Sequence, residues 1–522
     1  MFEQMDRLES RVAAVLASRR WWFVGVVAFL YFSITCGLAQ YKLFWNDELF
    51  TVYIARLPTL ADIWTILATG VEQLPPTFHI LTRLLIRLAG EHHLTVRLPA
   101  ILGVGAMEIC VFLIASRHSS TAYGLLGMLV PLTTQAYPYA YEARPYGLVL
   151  AFAASSFLCW QAAAAGHWRT IALPGLAVAL AGALASHYYG VLLFAPLAAG
   201  EIVRSFRRRR LDPWIWLAFA LATLPLWAFL PLIQAGRKLG GTFWARPQWR
   251  DIVGFYQNVF GPTTVLLLGI VLVVAIYAIA RSSTGSGRPP APSSAPPLHE
   301  VVAGVGYLTI PVIAVVLAKF VTGAFTDRYA LAAVLGLAVV VPWGTYQLLD
   351  RRATMGVVLA TFAAAYFMVY VALDPVKKIR EDRFAYQTVY ELLRKASAGD
   401  LPLVVANPHA FFQLTYYAPP RIASRFVYLA DPAGALRHLG SDTVDLGVRE
   451  FGRWTPLMVE DYGTYVRAHP RFLLYVDQGA WAWLLPELVA NGARIRVVGV
   501  DGTRPVLEVD ARPEPHQHST PR

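Results

Sequence analysis

The sequence predicts a polytopic α-helical membrane protein with about eleven transmembrane helices, ending in an extracytoplasmic α/β domain. Three observations carry this expectation. Charged residues make up only 15% of the 522 residues and 56% are hydrophobic, whereas about a quarter of a soluble globular chain is charged. The shortfall is concentrated between Trp21 and Leu373, where apolar runs of about 17–22 residues recur, each long enough to cross a ~30 Å hydrocarbon core as a helix. After Asp374 short apolar stretches alternate with helical segments, as expected of one soluble α/β domain of about 140 residues.

The first segment, residues 1–20, is polar and mixed in charge. It lacks a short apolar core with a small-residue cleavage site, so it is expected to be a cytoplasmic N-terminus whose following apolar segment stays as a helix. Spans are predicted near 21–40, 98–116, 121–138, 146–165, 171–186, 189–203, 213–233, 262–280, 301–320, 329–348 and 354–373. Arg19-Arg20, Arg117, Arg169, Arg204 with Arg207 to Arg210, Arg281 with Arg288, and Arg351-Arg352 fall between alternate spans. Placing these inside puts the N-terminus in the cytoplasm, and an odd number of spans puts the C-terminal domain outside. The formal charge of +12 sits mostly in these short loops, so topology explains it and no nucleic-acid partner is expected.

Residues 75–90 test the count. They are apolar, but His79, Arg83 and Arg87 recur every four residues as a polar stripe, and the segment is short. It reads as an amphipathic helix on the outer membrane surface, since a crossing would carry Arg207 to Arg210 outside. The transmembrane domain 21–373 therefore has a long first outer loop, 41–97. A second outer stretch, 235–261, holds Arg237, Lys238, Arg246 and Arg250, against the positive-inside rule; these basic groups suit lipid phosphates, unless the topology is misread there. Residues 282–298 read as a Ser/Pro/Gly-rich linker. In the soluble domain 374–512, strands are expected at 401–407, 471–476 and 493–500, and helices near 380–397, 457–468 and 481–491. Residues 513–522 read as a disordered tail. The three cysteines, Cys36, Cys110 and Cys159, all fall in predicted spans, which leaves no disulfide framework and no zinc or haem motif.

Several residues that could carry chemistry share the outer side. WNDELF at 45–50 places Asp47 and Glu48 where the chain leaves the membrane; adjacent carboxylates there can act as a general base or hold a cation, or merely mark a solvated helix end. YPYAYEARPYGL at 137–148 presents Glu142, Arg144 and Tyr146. Arg144 has the planar fork of donors that grips a phosphate, or else pairs with Glu142 to stabilise the loop. SHYYG supplies His187, a hydrogen-bonding ligand or an interfacial residue, and TDRYAL supplies Asp327, Arg328 and Tyr329. Glu108 lies inside a span, where it is expected to face other helices. Lys319, near a span end, can snorkel to the interface without a function of its own. Carboxylates, cationic donors and an apolar floor on one face suit a substrate with a phosphate head and a lipid tail.

The order NDELFTVYIAR, LPPTFHILTRLLIRLAG, VRLPAILG and EARPYGL resembles the GT-C glycosyltransferases, specifically family 39-like bacterial enzymes. These are related to protein O-mannosyltransferases and to the aminoarabinose transferase that modifies lipid A. The resemblance covers roughly residues 20–350 and is densest over 41–150. It implies a GT-C fold in a bacterial inner membrane, a polyprenyl-phosphate-linked sugar donor, and a glycan, lipid or protein acceptor on the extracytoplasmic side. It implies Asp47 as catalytic base and Arg144 and Tyr146 as its RPY residues. Relatives often carry a His before the paired prolines; here Leu74 stands there and His79 follows them. The expected site is therefore Asp47 and Glu48 for catalysis, with Glu142, Arg144, Tyr146, His79, His187, Arg328 and Tyr329 binding substrate. No metal ligand set is read; a divalent cation at Glu48 or Glu142 stays open.

Two other classes compete. A transporter or flippase would carry charged or broken helices near the midplane and internal repeats, yet only Glu108 lies well inside a span and no repeat is visible. A polysaccharide polymerase or ligase would share the lipid-linked donor, but the order of the acidic motif, the Pro-Pro helix and ARPY argues against it.

Overall fold

The computed structural model describes residues 2–238, 242–284, 295–396, 399–477, 479, 481–502 and 504–512. Most of the predicted linker and all of the predicted tail lie outside the described residues. The chain falls into two compact units. One comprises Met1–Tyr41, Leu74–Leu230 and Pro247–Lys377, the other Lys42–Gln73, Pro231–Arg246 and Lys378–Arg522. The second unit thus holds most of the first predicted outer loop and part of the second, together with the C-terminal segment.

Among the described residues, seven helices are long and apolar enough to cross a membrane. Two bent pairs add a span each if each pair is one, and Thr121–Leu132 and Ala333–Leu348 are shorter apolar helices. These eleven segments fall where the sequence predicts spans. The bend of 53° between Leu298–Leu308 and Ile310–Thr322 comes just before Pro311, which has no N–H to continue the ladder. The expected span 121–138 ends as an α-helix at Leu132, because the Thr133 and Thr134 hydroxyls turn back to the Val130 and Pro131 carbonyls at 2.8 and 2.7 Å.

Two ends of the helical unit are defined by what they gather. At one end the basic residues that mark alternate loops meet buried carboxylates. Arg204 donates from Nε and Nη2 to Glu201 at 2.9 and 2.8 Å and from Nη2 to Asp212 at 2.8 Å. Arg169 grips Asp212 with both arms at 2.9 Å. Burial opposes ionisation of Asp212, but the hydrogen bonds from these two guanidiniums outweigh it and hold its pKa at about 2. Glu201 also accepts from Trp160 Nε1 at 3.0 Å, and Glu300 accepts from Gln161 at 2.5 Å and pairs with His118 at 2.9 Å. From this end Tyr146–Ala164 and Arg169–Ser186, helices about 28 Å long at 1.5 Å per residue, lead to the opposite end.

The crossing of His93–Arg117 with Tyr146–Ala164 depends on two glycines. A Cβ on Gly103 would lie 2.5 Å from the Gly147 carbonyl, and one on Gly147 would lie 2.5 Å from the Ala100 oxygen. The two backbones are therefore in direct contact, as small residues allow between membrane helices. Glu108, on the same long helix, is buried, as expected of a costly charge in a span.

The second unit is built on a six-stranded sheet of β1 (Leu403–Val405), β2 (Phe426–Ala430), β3 (Val459–Asp461), β4 (Arg471–Tyr475), β5 (Arg494–Asp501) and β6 (Arg504–Asp510), in the order β3-β2-β1-β4-β6-β5. β1 to β4 run parallel, and β6 is antiparallel to both β4 and β5. Its core joins Val404, Leu429, Phe472, Leu474, Trp483 and Val509. The expected strands at 401–407, 471–476 and 493–500 are β1, β4 and β5; β2, β3 and β6 are additional. The helix Asn46–Ala55, from the first outer loop, packs on the helix Pro408–Tyr417 of this unit.

Candidate active site

The first unit gathers one group of predicted residues around His187. A 3₁₀ turn, Tyr137–Tyr141, leads into Glu142 in extended conformation, then Ala143, Arg144 and Pro145, and Tyr146 opens the next helix. The Gly103–Gly147 contact fixes this helix start. Arg144 is 3% exposed and its backbone N–H donates to the Glu142 carbonyl at 2.7 Å.

His187 follows the helix Arg169–Ser186. Its Nδ1 accepts the Tyr189 N–H at 3.1 Å, which leaves the proton of the neutral ring on Nε2. The turn 188–193 folds back so tightly that a Cβ on Gly190 would come 2.7 Å from the Ala183 carbonyl. The His187 ring lies between Tyr146, at 5.5 Å, and Tyr329, at 5.0 Å. Tyr189 stacks on Tyr329 at 4.6 Å and donates its hydroxyl to the Ala324 carbonyl at 2.5 Å. Tyr139 stands edge-on to Tyr146 at 5.0 Å. Burial, and then the guanidiniums of Arg144 and Arg328, hold the His187 pKa down to about 3, so the ring is neutral at physiological pH. Two cations act on one buried neutral imidazole among phenols. Beside them Asp327 accepts from Asn258 Nδ2 at 2.9 Å, while burial raises its pKa.

His79 lies in the same unit, fully buried on Thr77–Ala89. This helix packs on His93–Arg117 and Arg169–Ser186. His79 and Arg83 are buried while Ile80, Leu84 and Leu88 are exposed. Two residues of the polar stripe, His79 and Arg83, thus turn into the protein, while the third, Arg87, is exposed. The reason is that buried polar groups find partners in protein more cheaply than in hydrocarbon.

Asp47 and Glu48 belong to the second unit, in the first turn of Asn46–Ala55. Asp47 is partly exposed. Glu48 is fully buried, and its Oε2 accepts the Trp45 N–H at 3.3 Å. Glu48 therefore closes the helix start.

The structure brings Arg144, Tyr146, His187, Arg328 and Tyr329 together, with Glu142 two residues before Arg144. Tyr189, Tyr139 and Asn258 were not expected. The first two stand inside motifs already singled out, whereas Asn258 has no signal in the sequence. Among the described residues no three His, Cys, Asp or Glu side chains converge as a metal site would require.

A bundle of this layout, with a long first loop and a C-terminal sheet, has a GT-C-type fold. Residues 73–232 match the family described as dolichyl-phosphate-mannose–protein mannosyltransferase. The structure of ArnT from Cupriavidus metallidurans in the apo state superposes with a TM-score of 0.59 at 13% identity, covering 94% of this chain and 98% of that one. The same protein bound to undecaprenyl phosphate gives 0.55 at 13%, covering 93% and 97%. At these identities the likeness is one of fold. No curated protein matches the sequence.

Proposed function

We propose that the chain transfers a sugar from a polyprenyl-phosphate-linked donor to an acceptor on the extracytoplasmic face of a bacterial inner membrane, with inversion and with Asp47 as general base. The observation that carries this reading is the pair of guanidiniums, Arg144 and Arg328, acting on the buried neutral His187. Such a pair suits an anion that must be held in a low-dielectric site. The similar structure that holds undecaprenyl phosphate, and the phosphate-linked donor in the matched family's name, support the same chemistry.

The acceptor hydroxyl attacks the anomeric carbon, and the Asp47 carboxylate takes its proton. The bond from that carbon to the phosphate oxygen breaks, and the polyprenyl phosphate leaves as an anion stabilised by Arg144 and Arg328. Phosphate needs no protonation to leave, so one carboxylate suffices and a single displacement inverts the centre. The positive-inside pattern supports a cytoplasmic N-terminus. The test is Asp47→Asn in purified protein supplied with polyprenyl phosphosugars. Transfer should fall by about 10²–10⁴-fold with insertion and melting unchanged; full activity would sink the assignment.

A further inference from the structure

The α/β unit has a second place where chemistry collects. In open sheets with parallel strands, ligands bind at the carboxyl ends of neighbouring strands whose connections leave in opposite directions. Here that point lies between β1 and β4: from β1 the chain moves to β2 and β3 on one side, and β4 is added on the other. The loops that leave these two strands are tied together. Asn407 Nδ2 donates to Asp477 Oδ1 at 2.8 Å, and the Gly479 N–H donates to the same oxygen at 3.2 Å. Gly479 passes so close that a Cβ there would overlap the Asn407 amide.

A row of rings stands beside these two loops. His409, in the first turn of Pro408–Tyr417, lies 6.3 Å from Trp481. Trp481 meets Trp244 edge-on at 5.8 Å, and Trp244 stacks on Phe243 at 5.7 Å. Trp244 is 42% exposed. Asp47 and His409 stand in the first turns of two helices that pack on each other within this unit, and the Asp47 and Asp477 carboxylates both oppose the fall that burial gives the His409 pKa.

We propose that Asn407, His409, Asp477, Trp481 and Trp244 form a saccharide subsite at the β1/β4 switch point, holding the sugar ring of the acceptor beside Asp47. A pyranose offers an apolar face of C–H groups and an edge of hydroxyls. Indole rings take the first, and the Asp477 carboxylate, held in place by the buried Asn407 amide, takes the second. Asp47 and Asp477 oppose an anionic group, which separates this subsite from the cationic cluster around His187. The role given to the sugar rests on the proposed transferase reading; the binding itself does not.

The test uses full-length Asp47→Asn protein in lipid nanodiscs, with maltopentaose and a panel of methyl hexosides followed by saturation-transfer NMR. At least one probe should bind. Trp481→Ala should weaken that binding about tenfold, the scale of one lost ring contact, while Trp481→Phe stays within about threefold. Trp214→Ala, an exposed tryptophan of the first unit, should change nothing. Binding of undecaprenyl phosphate should be equal in all four proteins. Overturning results are no binding by any probe, equal binding in Trp481→Ala, or parallel loss of undecaprenyl phosphate. Because binding is read in an inactive variant, a failed transfer assay leaves this result standing, and the reverse holds too.

Discussion

Replacing Gly147 by alanine adds one methyl group where two helices touch through their backbones. The added Cβ would lie 2.5 Å from the Ala100 oxygen and 2.8 Å from its Cα, whereas ordinary contact is 3.4–4 Å. Neither neighbour is a flexible side-chain end, so the crossing must open by about 1 Å. Overpacking of this kind costs about 1–3 kcal/mol. Gly147 is three residues after Arg144, and Tyr146 beside it touches the His187 ring. A displacement of about 1 Å at a catalytic constellation can cost ~10²-fold in rate. The expected result is a lower melting temperature in detergent and a transfer rate reduced by one to two orders of magnitude. Gly37→Ala is the control, since nothing lies within 4 Å of its added Cβ; it should stabilise its helix slightly. If Gly147→Ala melted and turned over like the parent, the helix crossing would not position Arg144 as argued.

Two further outcomes follow from buried charges. Arg204→Ala leaves Glu201, fully buried, without the guanidinium it shares with Asp212; loss of about 3–5 kcal/mol is expected, read as a lower melting temperature, with the sugar-donor affinity of the surviving fold unchanged. Asp445, buried against Tyr428 Oη at 2.6 Å and Trp483 Nε1 at 3.0 Å, has its pKa raised by burial from 3.8 to about 6. The folded state holds this proton more tightly than the unfolded one. Its contribution is therefore full below pH 3.8 and is lost as pH rises through about 6, a change of about 3 kcal/mol. Hydrogen exchange of β2 amides, corrected for intrinsic rate, should show less protection at pH 8 than at pH 5 in the parent, and Asp445→Asn should remove the difference.

The membrane spans were legible because hydrocarbon accepts one solution, a long apolar helix, and composition alone reports it. Of the arginines that mark alternate loops, Arg169 and Arg204 recur in the network around Glu201 and Asp212. Short strands were harder. β2, FVYLA, is an apolar run bounded by Arg425 and Asp431-Pro432 and was open to reading, whereas β3 is only Val459-Glu460-Asp461 at a sheet edge, with no alternation to see. In the site, Arg144 and His187 stood in local motifs, but their meeting with Arg328 needs three loops brought together, which no local pattern encodes. Asp47 and Glu48 look alike in sequence. Only the helix start separates them, leaving one carboxylate partly exposed and tying the other to Trp45.

The first-loop motif also changes its meaning once its packing is known. Phe50 lies 4.9 Å from Phe412 and 4.6 Å from Phe451; Tyr53 lies 6.2 and 6.0 Å from the same two rings. Phe44 N–H donates to Tyr417 Oη at 2.7 Å, and Gln413 Nε2 donates to the Phe44 carbonyl at 3.0 Å. Arg56 extends its guanidinium over Tyr53 and Tyr416 at 5.2 and 5.4 Å. Asn46–Ala55 has ten residues, fewer than the ~12–15 an isolated helix needs to be even marginally stable in water. Its order must come from this aromatic packing. Phe412 and Phe451 are fully buried, and they bury the apolar side of the segment that carries Asp47. The C-terminal unit is therefore more than an appendage to the membrane bundle. On the proposed mechanism it fixes the rotamer space of the base, because the helix that presents Asp47 is folded on it.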